Sequence, residues 1–182
     1  LDLDKKMLEP EVCEGIFLLP PETELGVDVK TILGLDDVIL EFELTANRAD
    51  CFSVMGLVRE IAVLTGKEFK KPEISVSESG KNATDFIKIE IADTSVCKRF
   101  AARVFENIKI EASPNWMKQR LEAAGIRSIN NIVDITNFVM LELGQPLHAY
   151  DYDTIKGKTL IATKANPNEK ITTLDDVERN LT

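Results

Sequence analysis

The sequence predicts an α+β fold: a small helix-plus-strand N-terminal unit, residues 1–66, a polar linker, 67–84, and a mixed-sheet domain, 85–182, whose sheet is incomplete at its C-terminal end. Three observations predict it. Short runs of alternating apolar and polar residues stand at both ends of the second unit, with the period of half-buried strands. Between them lie two stretches of helical periodicity with stop signals at Gly125 and Gly144. The order strands, helix, helix, strands belongs to an α+β domain rather than to a doubly wound parallel sheet.

In the first unit, Gly15–Pro21 reads as extended, Pro20–Glu24 as a turn and VKTILG as a short helix. Val38–Leu44 alternates strictly, which places Val38, Leu40, Phe42 and Leu44 on one face of a strand. The following helix takes Asp50 or Ser53 as its cap, buries Val54, Leu57, Val58, Ile61 and Leu64, and stops at Gly66. Asn47, Arg48 and Asp50 read either as a turn, a cap and a local ion pair, or as a contact with a neighbouring subunit.

The segment KEFKKPEISVSESGKNAT is polar and carries one Pro and one Gly, as a linker does. Phe86–Ala92 then reads as a strand, Asp93–Ser95 as a turn and Arg99–Phe105 as a second strand. The helix Pro114–Ala124 has Ser113 as N-cap and Pro114 at its first position. Its Trp116 and Leu121 are expected to pack on the sheet, with nucleotide stacking by Trp116 as the alternative. Strands around Leu160–Lys164 and Ile171–Leu174, a turn at Asp175–Asp176 and a further strand complete the chain.

With 44% hydrophobic and 29% charged residues, 182 residues suffice for a real core. No apolar run reaches membrane-spanning length, and the start has neither an apolar signal region nor an initiator Met. Both ends therefore suggest a piece of a longer protein. Cys13, Cys51 and Cys97 are scattered and supported by a single histidine, which favours neither a zinc site nor a disulfide framework. Their usage suits a reducing cytoplasm, with Cys51 and Cys97 as small buried apolar residues. The net charge of −9 argues against standalone binding of nucleic-acid phosphates. No glycine-rich phosphate loop occurs, so no ATP site or other cofactor is expected in this chain.

The most informative stretch is Gly125–Asp151, GIRSINNIVDITNFVMLELGQPLHAYD. A helix over Ile132–Leu143 would turn apolar residues to most of its circumference, leaving Asp134, Phe138 and Glu142 on a narrow outer arc. Thr136 and Asn137 then point polar atoms into the apolar side. Either Thr136 bonds back to the carbonyl four residues earlier while Asn137 braces a loop, or both line a pocket. The loop after Gly144 delivers Gln145 and His148 around Pro146. A lone histidine is more often structural than functional, but here it is flanked by polar groups.

These residues carry a resemblance. INNIVDITNFVMLELGQPLHAYD resembles the editing domain in the beta subunit of bacterial phenylalanyl-tRNA synthetases, with Tyr150 where that family more often has Phe. VILEFELTANRADCFSVMGLVREIAVLTG and SVCKRFAARVFENIKIEASPNWMKQRLEAAGIRSINN are similar to the same subunit in the same order. The resemblance covers nearly the whole chain and implies an editing-type second domain.

It also implies a parent ligase that charges tRNA with phenylalanine using ATP and Mg2+, works with an alpha subunit, meets the tRNA acceptor end, and resides in the cytoplasm with neither DNA nor membrane as partner. A pocket of apolar walls rejects an isostere with one extra hydroxyl by only about a hundredfold, so a second site that recognises the hydroxyl and hydrolyses tyrosyl-tRNA is sensible. By resemblance Thr136, Asn137 and Gln145 bind substrate there. His148 positions substrate or water and is not a nucleophile. The family's pocket also uses a Gly-Gly loop and a glutamate from a later segment expected beyond Thr182, so this chain alone is expected to deacylate poorly. Two other readings stand beside this one: a noncatalytic scaffold piece that contacts the alpha subunit, and a free-standing hydrolase acting in trans.

Overall fold

The computed structural model describes residues 18–19, 21–78, 80–173 and 177–181. Cys13, the extended stretch from Gly15 to Phe17, Pro20 and the turn at Asp175–Asp176 lie outside the described residues. The α+β class holds: helices α1 (Val29–Ile32), α2 (Val54–Thr65), α3 (Asn115–Ala123) and α4 (Asn131–Leu143) accompany strands β1 (Lys88–Ile91), β2 (Thr159–Ala162), β3 (Lys170–Thr172) and β4 (Glu178–Asn180).

The chain divides into two compact units, and neither is continuous in sequence. The first comprises the described part of Leu1–Glu73 together with Lys109–Ala149; the second comprises Ile74–Ile108 together with Tyr150–Thr182. The sequence-drawn boundary at 67–84 contains the first crossing between them. It does not anticipate that α3 and α4 join the first unit, which they do because α4 packs against both α2 and α3.

In the first unit α1 is capped by Asp28, whose carboxylate accepts from the Lys30 N–H at 2.9 Å. Ser53 rather than Asp50 caps α2, accepting from the Gly56 N–H at 3.0 Å, and Gly66 closes the helix at φ 65°. The apolar stripe expected on α2 is not its buried face. Val54, Val58, Ile61 and Leu64 are exposed, Leu64 at 82%, and the buried α2 residue is Gly56, which faces the single-turn helix Ala49–Cys51. The predicted strand Val38–Leu44 has no regular secondary structure and pairs with no described residue, with Val38 78% exposed. A strand is maintained by a partner's hydrogen bonds, and no described residue supplies them.

Among the described residues the buried apolar side chains are Cys51, Met117 and Leu121, Leu121 completely so. Leu121 thus fills the interior of the first unit from α3, but Trp116 does not. It is exposed and meets Phe138 of α4 edge to face, at 5.4 Å between centroids and 89° between planes. Cys97, expected to be buried, is half-buried.

In the second unit β1 and β2 pair in parallel, Lys88 opposite Thr159 and Ile91 opposite Ala162. Tyr152 fastens the start of this pair: its hydroxyl donates to the Phe86 carbonyl at 3.0 Å, and Lys158 Nζ lies 3.6 Å from its ring centroid. At the other end Lys164 pairs with Asp93 at 2.8 Å, and this pair with the Ser95 hydrogen bond holds the Asp93 carboxyl below its ordinary range. β3 and β4 pair antiparallel as predicted, Lys170 opposite Asn180. The predicted strand Arg99–Phe105 is irregular and largely exposed. No helix among the described residues is long and apolar enough to cross a membrane.

The Asn47–Asp50 region has the local geometry of a turn and ion pair. Arg48 donates from Nε and Nη2 to the two Asp50 carboxylate oxygens at 3.1 and 2.9 Å, and Nη2 also meets Glu60 at 2.8 Å. This fork holds the Asp50 carboxyl at about 2 and raises the guanidinium further above its ordinary value. A carboxyl lowered in the folded state contributes stability above its ordinary pKa of about 4, which is lost as pH falls toward 2. An NMR titration of Asp50 is expected to show a midpoint near 2. In Arg48→Met that midpoint should return to the ordinary carboxylate range; a midpoint unmoved by the substitution would refute the pairing.

Candidate functional site

The candidate site is built on α4, whose start is fixed by side chains rather than by apolar packing alone. Asn130 caps it, its Oδ1 accepting from the Ile132 and Val133 N–H groups at 3.1 and 3.0 Å. Asn131 ties the helix to the segment before α3: its N–H donates to the Glu111 carbonyl and its Nδ2 to the Lys109 carbonyl, both at 2.9 Å. Its Oδ1 accepts from the Glu111 N–H at 3.3 Å.

Asp134 is the main departure from the sequence reading. The outer arc on which it was placed turns inward, and Asp134 is completely buried, whereas Ile135 and Leu143 from the expected apolar side are exposed. One carboxylate oxygen accepts from the hydroxyls of Ser113 and Ser128, each at 2.5 Å, and the other from the Ile129 N–H at 2.8 Å. Ser113 is itself buried. Its hydroxyl serves Asp134 instead of capping α3, whose cap position is Pro114 with no side-chain cap bond. Burial works to raise the Asp134 carboxyl, but the two hydroxyls, the Ile129 N–H and the charge of Lys118 together hold it below its ordinary range.

Sequence reasoning missed this group because a nearly all-round apolar helix leaves its buried arc undetermined. The available signal was an acidic residue in the first turn, favoured there by the helix dipole, with serines close before it at 113 and 128.

The four residues singled out from sequence fall on α4 and the loop that follows it. Thr136 is half-buried and its hydroxyl donates to the Val133 carbonyl at 2.7 Å, three residues back rather than four. Asn137 is half-buried beside it. Gly144 ends the helix at φ 75° and approaches the start of α2 closely, since a Cβ there would stand 3.3 Å from Ser53 Cβ. Gln145 and His148 follow in the loop and are exposed, with Gln145 Nε2 donating to the Pro146 carbonyl at 3.2 Å. The structure thus gives Thr136 and Asn137 one environment and Gln145 and His148 another.

Such an arrangement presents uncharged donors and acceptors beside apolar surface. Thr136 has committed its only proton to Val133, so toward any further group it is an acceptor. It can receive a hydroxyl proton but cannot donate to a carbonyl.

Residues 96–182 match the family model described as the B3/4 domain. Along its full length the chain is similar to the phenylalanine–tRNA ligase beta subunit of Moorella thermoacetica, 49% identical over 181 residues, which are 100% of this chain and 22% of that protein. The beta subunit of Clostridium tetani is 47% identical over 180 residues, 98% of this chain and 23% of that protein. That of Bacillus licheniformis is 45% identical over 182 residues, 100% and 23% of the two chains. The chain spans less than a quarter of the length of these relatives. With identity near one half sustained from end to end and a B3/4 match in its second half, the chain belongs to the phenylalanine–tRNA ligase beta subunit family.

Proposed function

We propose that this chain forms one wall of the site at which a phenylalanine–tRNA ligase hydrolyses tyrosyl-tRNA made in error. The observation that carries the reading is the placement of polar groups along α4 and its exit. Thr136 keeps acceptor capacity at a half-buried position, and Gln145 and His148 stand accessible in the loop directly after the helix. A phenolic hydroxyl is a donor that Thr136 can accept and that a purely apolar wall cannot.

The ester bond of an aminoacyl-tRNA is activated, so hydrolysis needs a positioned water and donors toward the developing oxyanion more than covalent machinery. Thr136 and Asn137 are assigned to binding the amino acid side chain, Gln145 to the substrate, and His148 to positioning water or the ester. In the whole enzyme, ATP and Mg2+ serve the charging reaction elsewhere, an alpha subunit is the partner, the tRNA acceptor end reaches this wall, and the setting is the cytoplasm.

A second reading has an observation in its favour. The Thr136–Val133 bond is also what a bracing residue makes, which suits a noncatalytic piece of the same subunit. His148→Ala in the intact enzyme separates the two. Under the editing reading, clearance of tyrosyl-tRNA is expected to fall by about 100-fold, the scale of a misplaced reacting group, with phenylalanine activation nearly normal. If both activities decline together, His148 is structural and the bracing reading prevails.

A further inference from the structure

We infer that Asp134 is a positioning residue for this editing wall: its buried carboxylate fixes the roll of α4 and so decides which way Thr136 and Asn137 face. The inference rests on the editing reading above.

A fully buried carboxylate with three donors is an unusual device for holding two helices together, because apolar residues of similar volume would commonly hold them as well or better. What it adds is a single angular setting. The apolar residues of α4 are spread round most of its circumference, and Ile135 and Leu143 are exposed as it is, so packing alone leaves several rolls of similar energy. The Asp134 bonds admit only one. Ser113 before α3, Ser128 and the Ile129 N–H must all meet the same carboxylate, and a turn of the helix breaks them together.

At roughly 100° per residue Thr136 lies about 160° round the helix from Asp134, and Asn137 and Phe138 lie about 60° and 40° from it on either side. Phe138 is therefore on the anchored side, where it meets Trp116 of α3. Thr136 is directed away from that anchor, and because a helix rolls as a rigid body, a slackened anchor turns Thr136 by the same angle as Asp134 itself. None of this touches substrate; Asp134 acts through the residues two and three positions on.

The test uses the intact two-subunit enzyme carrying Asp134→Asn, which preserves shape but removes the charge and one acceptor. Hydrolysis of tyrosyl-tRNA and of phenylalanyl-tRNA is measured on the same preparation, and the readout is their ratio, which does not depend on the fraction of enzyme that is folded. The expected result is a fall of at least tenfold in that ratio with phenylalanine activation unchanged. Ser128→Ala, which removes one donor only, is expected to lower the ratio severalfold, and it decides the matter if Asp134→Asn does not accumulate. A ratio that stays at the wild-type value, whether or not both rates fall, overturns the inference. Thr136→Val and His148→Ala in the same assay test the editing reading itself. If they leave tyrosyl-tRNA clearance intact, the wall is misassigned; if they impair it while the Asp134 and Ser128 variants keep the ratio, only the positioning role fails.

Discussion

Asp134→Ala is expected to destabilise the helical unit by about 3–5 kcal/mol, the largest effect of any single substitution considered. The carboxylate is completely buried and satisfies two hydroxyls and one backbone N–H. Truncation leaves those donors without their acceptor, at about 1–3 kcal/mol for each that finds no other partner, and adds a small cavity. The hydroxyls of Ser113 and Ser128 can rotate toward other acceptors, whereas the Ile129 N–H cannot. That difference keeps the sum well below three full penalties.

Stability of native domains is itself only about 5–15 kcal/mol, so the variant should be largely unfolded near its former melting temperature. Urea titration followed by Trp116 fluorescence reads the change, since Trp116 sits on Phe138 one turn along α4. A loss below about 1 kcal/mol would mean that the hydroxyls and the N–H are satisfied without the carboxylate. The same group gives the wild type a sign-definite pH dependence. Its folded carboxyl lies below the ordinary range, so its contribution is complete above about pH 4 and is lost as pH falls through the folded value. Asp134→Asn should flatten that limb of the acid titration.

The second large effect is expected from Gly56→Ala, which should destabilise by about 1–3 kcal/mol although alanine is favoured over glycine within a helix by about 1 kcal/mol. The two terms oppose each other, and packing wins. A Cβ on Gly56 would fall deep inside the van der Waals radius of the Asp50 carbonyl oxygen, 2.9 Å from the Asp50 carbonyl carbon and 3.1 Å from Cys51 Cα. Those are backbone atoms and cannot swing aside as a flexible side chain does. The helix start and the Ala49–Cys51 turn would have to part, disturbing the Ser53 cap and the buried Cys51 with it. Thermal unfolding of the variant beside Gly66→Ala, which a Cβ would meet with nothing within 4 Å but at φ 65°, separates contact from backbone strain. A neutral or stabilising Gly56→Ala would show that the close approach is relieved at little cost.

Helix ends were the most legible part of the sequence. Gly66, Gly125 and Gly144 each adopt the positive φ their positions suggested, because a left-handed terminus is a local demand that few other residues meet. The β3–β4 pairing and β1 were legible for the same reason, since alternation with a nearby turn is local information. Burial was read correctly for Leu121 and Cys51, but most inferences about which side of an element faces inward failed. Val58, Ile61 and Leu64 on α2 and Val38, Ile39, Leu40 and Phe42 in the segment before it are apolar yet exposed, because burial depends on a partner surface that a chain's own periodicity does not specify. The edge at Arg99–Phe105 failed similarly, for alternation describes a strand's faces but not its neighbour.

At the candidate site, position was legible and environment was not. Thr136, Asn137, Gln145 and His148 fall on the helix and loop expected of them. The Asp134 carboxylate was read as an outer group because Asp134 shared an arc with Phe138 and Glu142.

The parallel pairing of Lys88 with Thr159 and Ile91 with Ala162 joins segments between which α3, α4 and the whole candidate site are threaded. As a matter of kinetics, α3 and α4 are neighbours in sequence and can meet early, whereas β1 must wait until β2 has been synthesised and a long loop has closed. A ribosome adding about 5–20 residues each second leaves β1 without its partner for several seconds. During that interval its backbone edge is open to any strand of another nascent chain. Lys88 and Glu90, which pair along the strand, place charge on that waiting edge and make intermolecular pairing less favourable until β2 arrives.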